Sequence, residues 1–280
     1  MQIVAKELDY IYQQGTVFAA PALHDVSFEI PTGQMVAMIG HSGSGKSTLA
    51  HLIGGLILPS SGSVSVDGKQ ADVKNTFRQV GLVFQYPEQQ FFGETVLEEV
   101  SFGPKNFGVP QENLEAVVKK ALADVGLKPE LFLERSPFTL SGGEQRRVAI
   151  ASVLATDPQI LIFDEPTAGL DVSGRNWIMD LARQYHEKGR TILWISHHMQ
   201  EVADLAERIL VVSHGQLIAD GTPQEVFAQT LTLQEHGLDI PEAALLVRRL
   251  KEQGKPVPGL AVTLDQAYEE IHAWLKGGAL

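Results

Sequence analysis

An α/β fold is predicted by this sequence on three observations. Short apolar runs recur along it: MVAMIG at 35–40, VGLVF at 80–84, ILIF at 160–163, TILWIS at 191–196 and ILVV at 209–212. Runs of that length read as strands buried on both faces of a parallel sheet. Segments of helical period lie between them, which is the alternation of a layered α/β architecture. A glycine-rich string, GHSGSGKS at 40–47, joins the first of these strands to the helical STLAHLIGGL, the strand, loop and helix order of a phosphate-binding turn.

The N-terminal MQIVAKELDYIY reads as a strand, since it lacks the basic patch and apolar core of a signal peptide. A long loop, YQQGTVFAAPAL, is expected before the first core strand. Residues 111–125 place Leu114, Val117, Val118, Ala121, Leu122 and Val125 on one face, an amphipathic helix. With its surroundings it forms a helical insertion over about 86–150. After GTPQEVF at 221–227 the pattern changes to a helix near PEAALLVRRLKEQG, a rigid GKPVPG linker at 254–259 and a last helix. The expected division is 1–227 for the main domain and 228–280 for a small helical tail. Leu264, Ala267, Tyr268, Ile271, Trp274 and Leu275 share one face of the last helix, for packing on its own domain or for a dimer contact.

Composition limits the function classes. The chain has 280 residues, enough for one large and one small domain. Its 22 basic and 34 acidic residues leave a net charge of −12, which argues against a nucleic-acid binder that must neutralise phosphates over a broad surface. There are no cysteines, so disulfides, thiolate metal sites and cysteine nucleophiles are excluded. No apolar run approaches the ~18 residues of a membrane span, so work at a membrane would need other subunits to cross it.

The phosphate-binding string fits G-x-x-x-x-G-K-[ST]. Gly40, Gly43 and Gly45 let backbone N–H groups approach phosphates, and the helix start adds partial positive charge. Lys46 reaches the outer phosphates and the Ser47 hydroxyl is placed to ligate Mg²⁺. Downstream, ILIFDEP at 160–166 ends a buried strand in two carboxylates, at the edge where open α/β sheets bind ligands. Asp164 can hold the Mg²⁺ shell and Glu165 can polarise a water for attack on a γ-phosphate. LSGGEQRR at 140–147 sets a serine N-cap and a glycine pair before a helix, a second anion cradle.

Taken together, these residues resemble the ATP-binding subunit of ABC transporters over roughly the first 230 residues. The resemblance implies a P-loop NTPase core of the ABC ATPase type, with an N-terminal antiparallel β part, the helical insertion and a small C-terminal helical domain. It implies an ATP-hydrolysing enzyme with ATP and Mg²⁺. Tyr12 looks like the aromatic that stacks on adenine, and residues 40–48 (Gly40, His41, Ser42, Gly43, Ser44, Gly45, Lys46, Ser47, Thr48) look like the phosphate loop. Gln85 looks like the Q-loop glutamine and a further Mg²⁺ ligand. Ser141, Gly142, Gly143 and Glu144 look like the signature that contacts ATP across a dimer. Asp171 in AGLD at 168–171 resembles the D-loop, and Glu165 and His197 resemble the catalytic pair. His198 follows directly, but TILWISH ends its strand at His197. Because the family pairs head to tail, with each ATP between one chain's phosphate loop and the other's signature, an isolated chain is expected to hydrolyse poorly.

GLVFQYPEQQFF, FGPKNFGV at 102–109, ERSPFTLSGGEQRRVAIASVLA and the GTVF insertion look like energy-coupling-factor transporters, and among their ATPases like the second type. Two departures from the usual pattern are Glu144 in the signature and Val172 after the D-loop. This narrower resemblance implies import of vitamins or related micronutrients. It also implies a second, related ATPase, a transmembrane coupling subunit, a membrane-embedded capture subunit and no nucleic acid, with the chain peripheral on the cytoplasmic face of the cell membrane. A partner groove is expected at Gln89, Gln90, Phe91 and Phe92, with one phenylalanine in the core and the other in the groove. Glu88, Glu94, Glu98 and Glu99 are expected to suit arginines of the coupling subunit. Pro87 is expected to end the preceding strand.

Other classes fit less well. Repair and chromosome-organising ATPases with this head place a long coiled coil between phosphate loop and signature, and residues 48–140 sustain no heptads. The ATPase of another ABC importer, such as one for cobalt or nickel, or of an exporter is the alternative; an ATP-binding scaffold is opposed by Glu165 and His197.

Overall fold

A computed structural model describes residues 1–255, 257 and 259–277. In chain order the strands are β1 (Ile3–Tyr12), β2 (Ala20–Ile30), β3 (Met35–Ile39), β4 (Ser61–Val66), β5 (Lys69–Gln70), β6 (Val80–Val83), β7 (Ile160–Asp164), β8 (Thr191–Ile195), β9 (Arg208–Ser213) and β10 (Gln216–Gly221). They form two sheets, a four-stranded β2-β1-β4-β5 and a six-stranded β10-β9-β3-β8-β7-β6. The first is antiparallel. In the second every pair is parallel except β9 with β10. The five apolar runs are therefore five neighbouring parallel strands.

Strands β3, β7 and β8 are buried at every position, and successive side chains feed opposite faces. Ile160 and Ile162 of β7 join one apolar cluster, whereas Leu161 and Phe163 join the other. That explains why these strands are continuously apolar. Helix α1 (Lys46–Ile53) buries Leu49, Ala50, Leu52 and Ile53 in one apolar cluster with Val64 and Val66 of the antiparallel sheet and Ile160 and Ile162 of β7. Burial of each of the three larger side chains contributes about 1.5–3 kcal/mol, so the helix behind the phosphate loop is a rigid seat.

After the short α2 (Val73–Thr76), the helical part comprises α3 (Val96–Asn106), α4 (Gln111–Asp124), α5 (Pro129–Phe132) and α6 (Gly142–Leu154). Leu114, Val118, Ala121, Leu122 and Val125 are buried as the periodicity predicts, and Val117 packs half-buried beside them. Two helices flank β8, α7 (Val172–Glu187) and α8 (Met199–Leu205).

The remaining helices are α9 (Pro223–Ala228), α10 (Thr230–Glu235), α11 (Glu242–Glu252) and α12 (Leu264–Gly277). Phe227, Leu233, Leu238 and Ile240 pack into one cluster with Ala37, Ile39 and Met199 of the sheet layer. Ala243, Val247, Ala261 and Ala267 form a separate small core. Val262 joins the cluster of Phe227 and Ala37, so side chains on both sides of α11 pack with the sheet layer. The apolar face of α12 splits: Ala267, Ile271 and Trp274 pack on the tail's own core, while Leu264, Tyr268 and Leu275 stay exposed. Of the GKPVPG linker, Pro256 and Pro258 lie outside the described residues.

Three local expectations are corrected. The loop expected over 12–23 is only 13–19, because Tyr12 ends β1 and Ala20 opens β2, paired with each other. Strand β6 stops at Val83, and Pro87 instead opens a 3-10 turn over Pro87–Gln90, where its fixed φ suits a first helical position. The acidic residues near it are not free for a partner's arginines as a group. Glu88 pairs with Arg146 at 3.0 Å, and buried Glu99 accepts from the N–H groups of Phe92 and Gly93 at 3.0 and 2.8 Å.

Candidate functional site: a phosphate pocket at the sheet mouth

Parallel register brings the C-terminal ends of β3, β6, β7 and β8 to one edge of the sheet. A cavity of about 540 Å³ opens there, lined by Gly40, His41, Ser42, Gly43, Lys46, Ser47, Gln85, Asp164, Glu165, His197 and Met199, with Gly237, Leu238 and Asp239. A second cavity of about 370 Å³ shares Gly43, Lys46 and Ser47 and adds Tyr12, Ala20, Pro21, Ala22, Ser44, Gly45 and Thr48. The two together span the phosphate loop from the sheet edge to the β1–β2 hairpin.

The loop's glycines are required by close approach. A Cβ at Gly40 would collide with the Val212 carbonyl oxygen. Gly45 has φ 110°, and a Cβ there would lie 2.8 Å from the Ala22 carbonyl oxygen. Lys46 is buried, and its Nζ donates to the carbonyls of Gly40 and His41 at 2.9 and 3.0 Å. Burial pulls its pKa down, while the charges of Glu165 and Asp164 oppose the shift. The ammonium is thus held at the loop's centre. Tyr12 is half-exposed, with its hydroxyl 2.9 Å from Thr48 Oγ1 and its ring edge-to-face with Tyr10.

Asp164, the last residue of β7, is 7% exposed. Burial pushes its carboxyl up and a hydrogen bond from Ser47 opposes this, so Asp164 and Ser47 face one another across the loop. Glu165 follows in the left-handed region at φ 49°, a conformation that costs a glutamate about 1–3 kcal/mol and collects at working sites. Its N–H donates to Ile195 O at 2.9 Å, and its Oε2 lies 2.8 Å from Nδ1 of His197. That contact sets the imidazole's tautomer and orientation. Of the two adjacent histidines, His197 lines the cavity, whereas His198 immediately precedes α8 and does not.

The signature residues are elsewhere. Ser141 caps α6, where its Oγ accepts from Glu144 N at 3.4 Å and its N–H donates to Glu144 Oε2 at 2.9 Å. This reciprocal pair is a capping box, and these hydrogen bonds hold the Glu144 carboxyl below its usual range. Ser141, Gly142 and Gly143 are exposed and line neither cavity. Asp171 caps α7 by accepting from Gly174 N at 2.7 Å and is also exposed. One chain therefore assembles Tyr12, residues 40–48, Gln85, Asp164, Glu165 and His197, and displays the signature separately.

Two buried groups that bind the site together are not singled out by the sequence reading. Arg146, 3% exposed, pairs with Glu88 and donates to the carbonyls of Pro166 and Ala168 at 2.8 and 3.1 Å. It thereby ties the signature helix to the Gln85 segment and to the loop after Glu165. Glu201 accepts from Thr167 and Ser196 at 2.9 and 3.2 Å, joining the loops that carry Glu165 and His197. Only the residue pattern E-Q-R-R and the glutamate four places after His197 hint at either.

On the membrane-facing expectation, a shallow cavity of about 190 Å³ includes Gln90, Phe91, Phe92, Glu99, Phe102 and Gly103 in its lining. Phe91 packs on the core, whereas Phe92 is 59% exposed, its ring edge-on to Phe102 at 4.6 Å. Gln89 is exposed beside it but does not line it.

Fold and site define a P-loop ATPase of the ABC class, with one complete phosphate pocket and a remote signature. Residues 23–168 match the family model described as ABC transporter. The energy-coupling factor transporter ATP-binding protein EcfA2 of Symbiobacterium thermophilum is 46% identical over 282 residues, 99% of this chain and 98% of that protein. A protein of the same name from Streptococcus pyogenes is 44% identical over 278 residues, 97% and 99% of the two chains. Among solved structures, cbiO1 of Clostridium perfringens, part of the ABC transporter complex cbiONQ, superposes with a TM-score of 0.72 at 33% identity. It covers 90% of this chain and 98% of its own. The cassette MJ0796, a dimer bound to ADP and Pi, gives 0.70 at 30% identity, over 79% and 98%. The chain belongs to the ABC transporter family and, within it, to the ATP-binding proteins of energy-coupling factor transporters.

Proposed function

We propose that this ATPase powers the uptake of a vitamin or related micronutrient by pairing with a second, related ATPase under a transmembrane coupling subunit, with a separate membrane subunit capturing the cargo. The chain would sit peripherally on the cytoplasmic face of the membrane; among the described residues no helix is long and apolar enough to cross it. The observation that carries the pairing is the signature, with Ser141, Gly142 and Gly143 exposed and Glu144 half-buried, which reaches neither cavity of its own chain.

In the site, the phosphate-loop backbone from Gly40 to Thr48 and Lys46 hold the phosphates, and Tyr12 stacks on the base. Glu165 takes the proton of the attacking water. His197, held by Glu165, contacts the γ-phosphate. The signature of the second ATPase closes on that phosphate from the far side, and Ser141 to Glu144 of this chain close on the nucleotide held by the second ATPase. Asp171 lies on the pairing surface. The donor set fits Mg²⁺: a hydroxyl from Ser47, an amide from Gln85 and a carboxylate from Asp164 are hard oxygen ligands. Among the described residues no group of three or more histidine, cysteine, aspartate or glutamate side chains could hold a metal ion; an ion here would share its shell with substrate phosphates. When bound, it neutralises charge on the phosphate oxygens. Gln89, Gln90, Phe91 and Phe92 line or border the surface offered to the coupling subunit.

Copurification from native membranes tests this function. Recovery of a second ATPase and a coupling subunit, without a periplasmic-type binding protein, is expected. Recovery of such a binding protein would move the chain to another class of ABC importer.

A further inference from the structure

We propose that the root of the C-terminal tail, Gly237–Asp239, is part of the nucleotide-binding site, so that nucleotide occupancy and the seating of the tail are linked. The proposal rests on the nucleotide reading of the cavity. Gly237, Leu238 and Asp239 line the same cavity as Gly40–Gly43, Lys46 and His197. Leu238 is 5% exposed and packs in one cluster with Met199, a neighbour of His197 that lines the cavity too. Asp239 adds a carboxylate to a wall that already holds Asp164 and Glu165, so the loop meets the charge of whatever fills the pocket.

The tail root is anchored to the phosphate loop through the β9–β10 turn. His236 Nδ1 is 2.9 Å from Ser213 Oγ. Next in the turn, His214 adopts φ 48°, a left-handed backbone that histidine enters more readily than most residues other than glycine. Its ring lies 4.8 Å from that of His41 in the phosphate loop and 6.4 Å from that of His236. Gly215 N then donates to Ser44 O at 3.0 Å, and Ser44 is fully buried. His41 Nε2 is buried with no hydrogen-bond partner among the described residues, so packing against His214 rather than a hydrogen bond holds that end of the ring. A phosphate group that settles the loop therefore settles the turn, and Ser213 at the start of the turn holds His236 at the end of α10. Linkage is reciprocal: what the nucleotide does to the tail root, the tail root does to nucleotide affinity.

Amide hydrogen exchange on the full chain, with and without saturating ATP and Mg²⁺, tests the link. Exchange across 229–241 is expected to slow about 5-fold, the low end of ordinary site-to-site coupling, to the same extent at two protein concentrations. His236→Phe is expected to weaken ATP binding about 5-fold, while His236→Asn, which restores a polar atom toward Ser213, binds as the parent does. Equal melting temperatures of the two variants separate this from misfolding, and Leu238→Ala provides a second weakened wall. Protection of residues 40–50 without protection of 229–241 overturns this proposal alone. Absence of protection at both overturns the nucleotide reading beneath it. Protection that grows with protein concentration belongs to chain pairing and also overturns the link, as does an unchanged affinity in His236→Phe.

Discussion

The phosphate pocket and the signature face are both anion cradles at helix starts, yet they are built to opposite ends. At the pocket, Lys46 and Asp164 are buried, strands on either side fix the backbone, and Glu165 is held in a left-handed conformation against His197. At the signature, Ser141 and Glu144 satisfy one another in a capping box and the glycines face outward. The first is a site in which one chain has prearranged every group it can supply. The second is an exposed surface that reaches neither cavity of its own chain. On the pairing proposed above, a single chain carries two halves of two sites.

The largest effect separates chemistry from binding within the pocket. Glu165→Gln should lower ATP hydrolysis in the assembled transporter by about 10³-fold, in the range of a lost general base, with nucleotide affinity retained by equilibrium binding. Hydrolysis at the parent rate would remove Glu165 from that role. Ser141→Arg should cost about 10²-fold in hydrolysis, as for a lost anion-stabilising donor, while leaving ATP binding to the isolated chain unchanged. A binding loss as severe as the rate loss would place the signature in the chain's own pocket and break the comparison.

Much of the pocket was legible in the sequence because its parts are local. The phosphate loop needs glycines at fixed offsets, the carboxylates follow an apolar run, and each strand is marked by its own apolar residues. The long-range parts were not legible. Nothing near Arg146 announces that it meets Glu88 and the Pro166 carbonyl, and the four glutamates between 88 and 99 look alike in sequence although Glu88 and Glu99 are already engaged. The left-handed Glu165 and the approach of Leu238 to the phosphate loop depend on how the sheet edge closes, which no periodicity encodes. The division of α12 into a packed and an exposed stripe likewise depends on where α11 lies.

Arg146 sharpens the comparison further, since it holds the signature helix against the pocket's loops. Arg146→Met leaves Glu88 and two carbonyls without their donor and should destabilise the chain by about 3 kcal/mol, as when a buried pair loses one partner. Chemical denaturation measures this, and a change within experimental error would make the bridge incidental. Tyr12→Ala should weaken ATP binding by about 1–3 kcal/mol if the ring stacks on the base, readable by calorimetry against an unchanged Ser141→Arg control. Phe92→Asp should be the mildest for the isolated chain. Its exposed ring allows a stability change of only about 0.5 kcal/mol, with nucleotide binding intact and transport lost on reconstitution. Transport at the parent level would locate the coupling surface away from Phe92.

The separation of pocket and signature is tested most directly by the ATPase rate of the chain as a verified monomer, set beside its rate with the second ATPase. The structure predicts near-background hydrolysis by the monomer at saturating ATP, although ATP binds, and a large gain on pairing. Full hydrolysis by the monomer would contradict the division of the site between two chains.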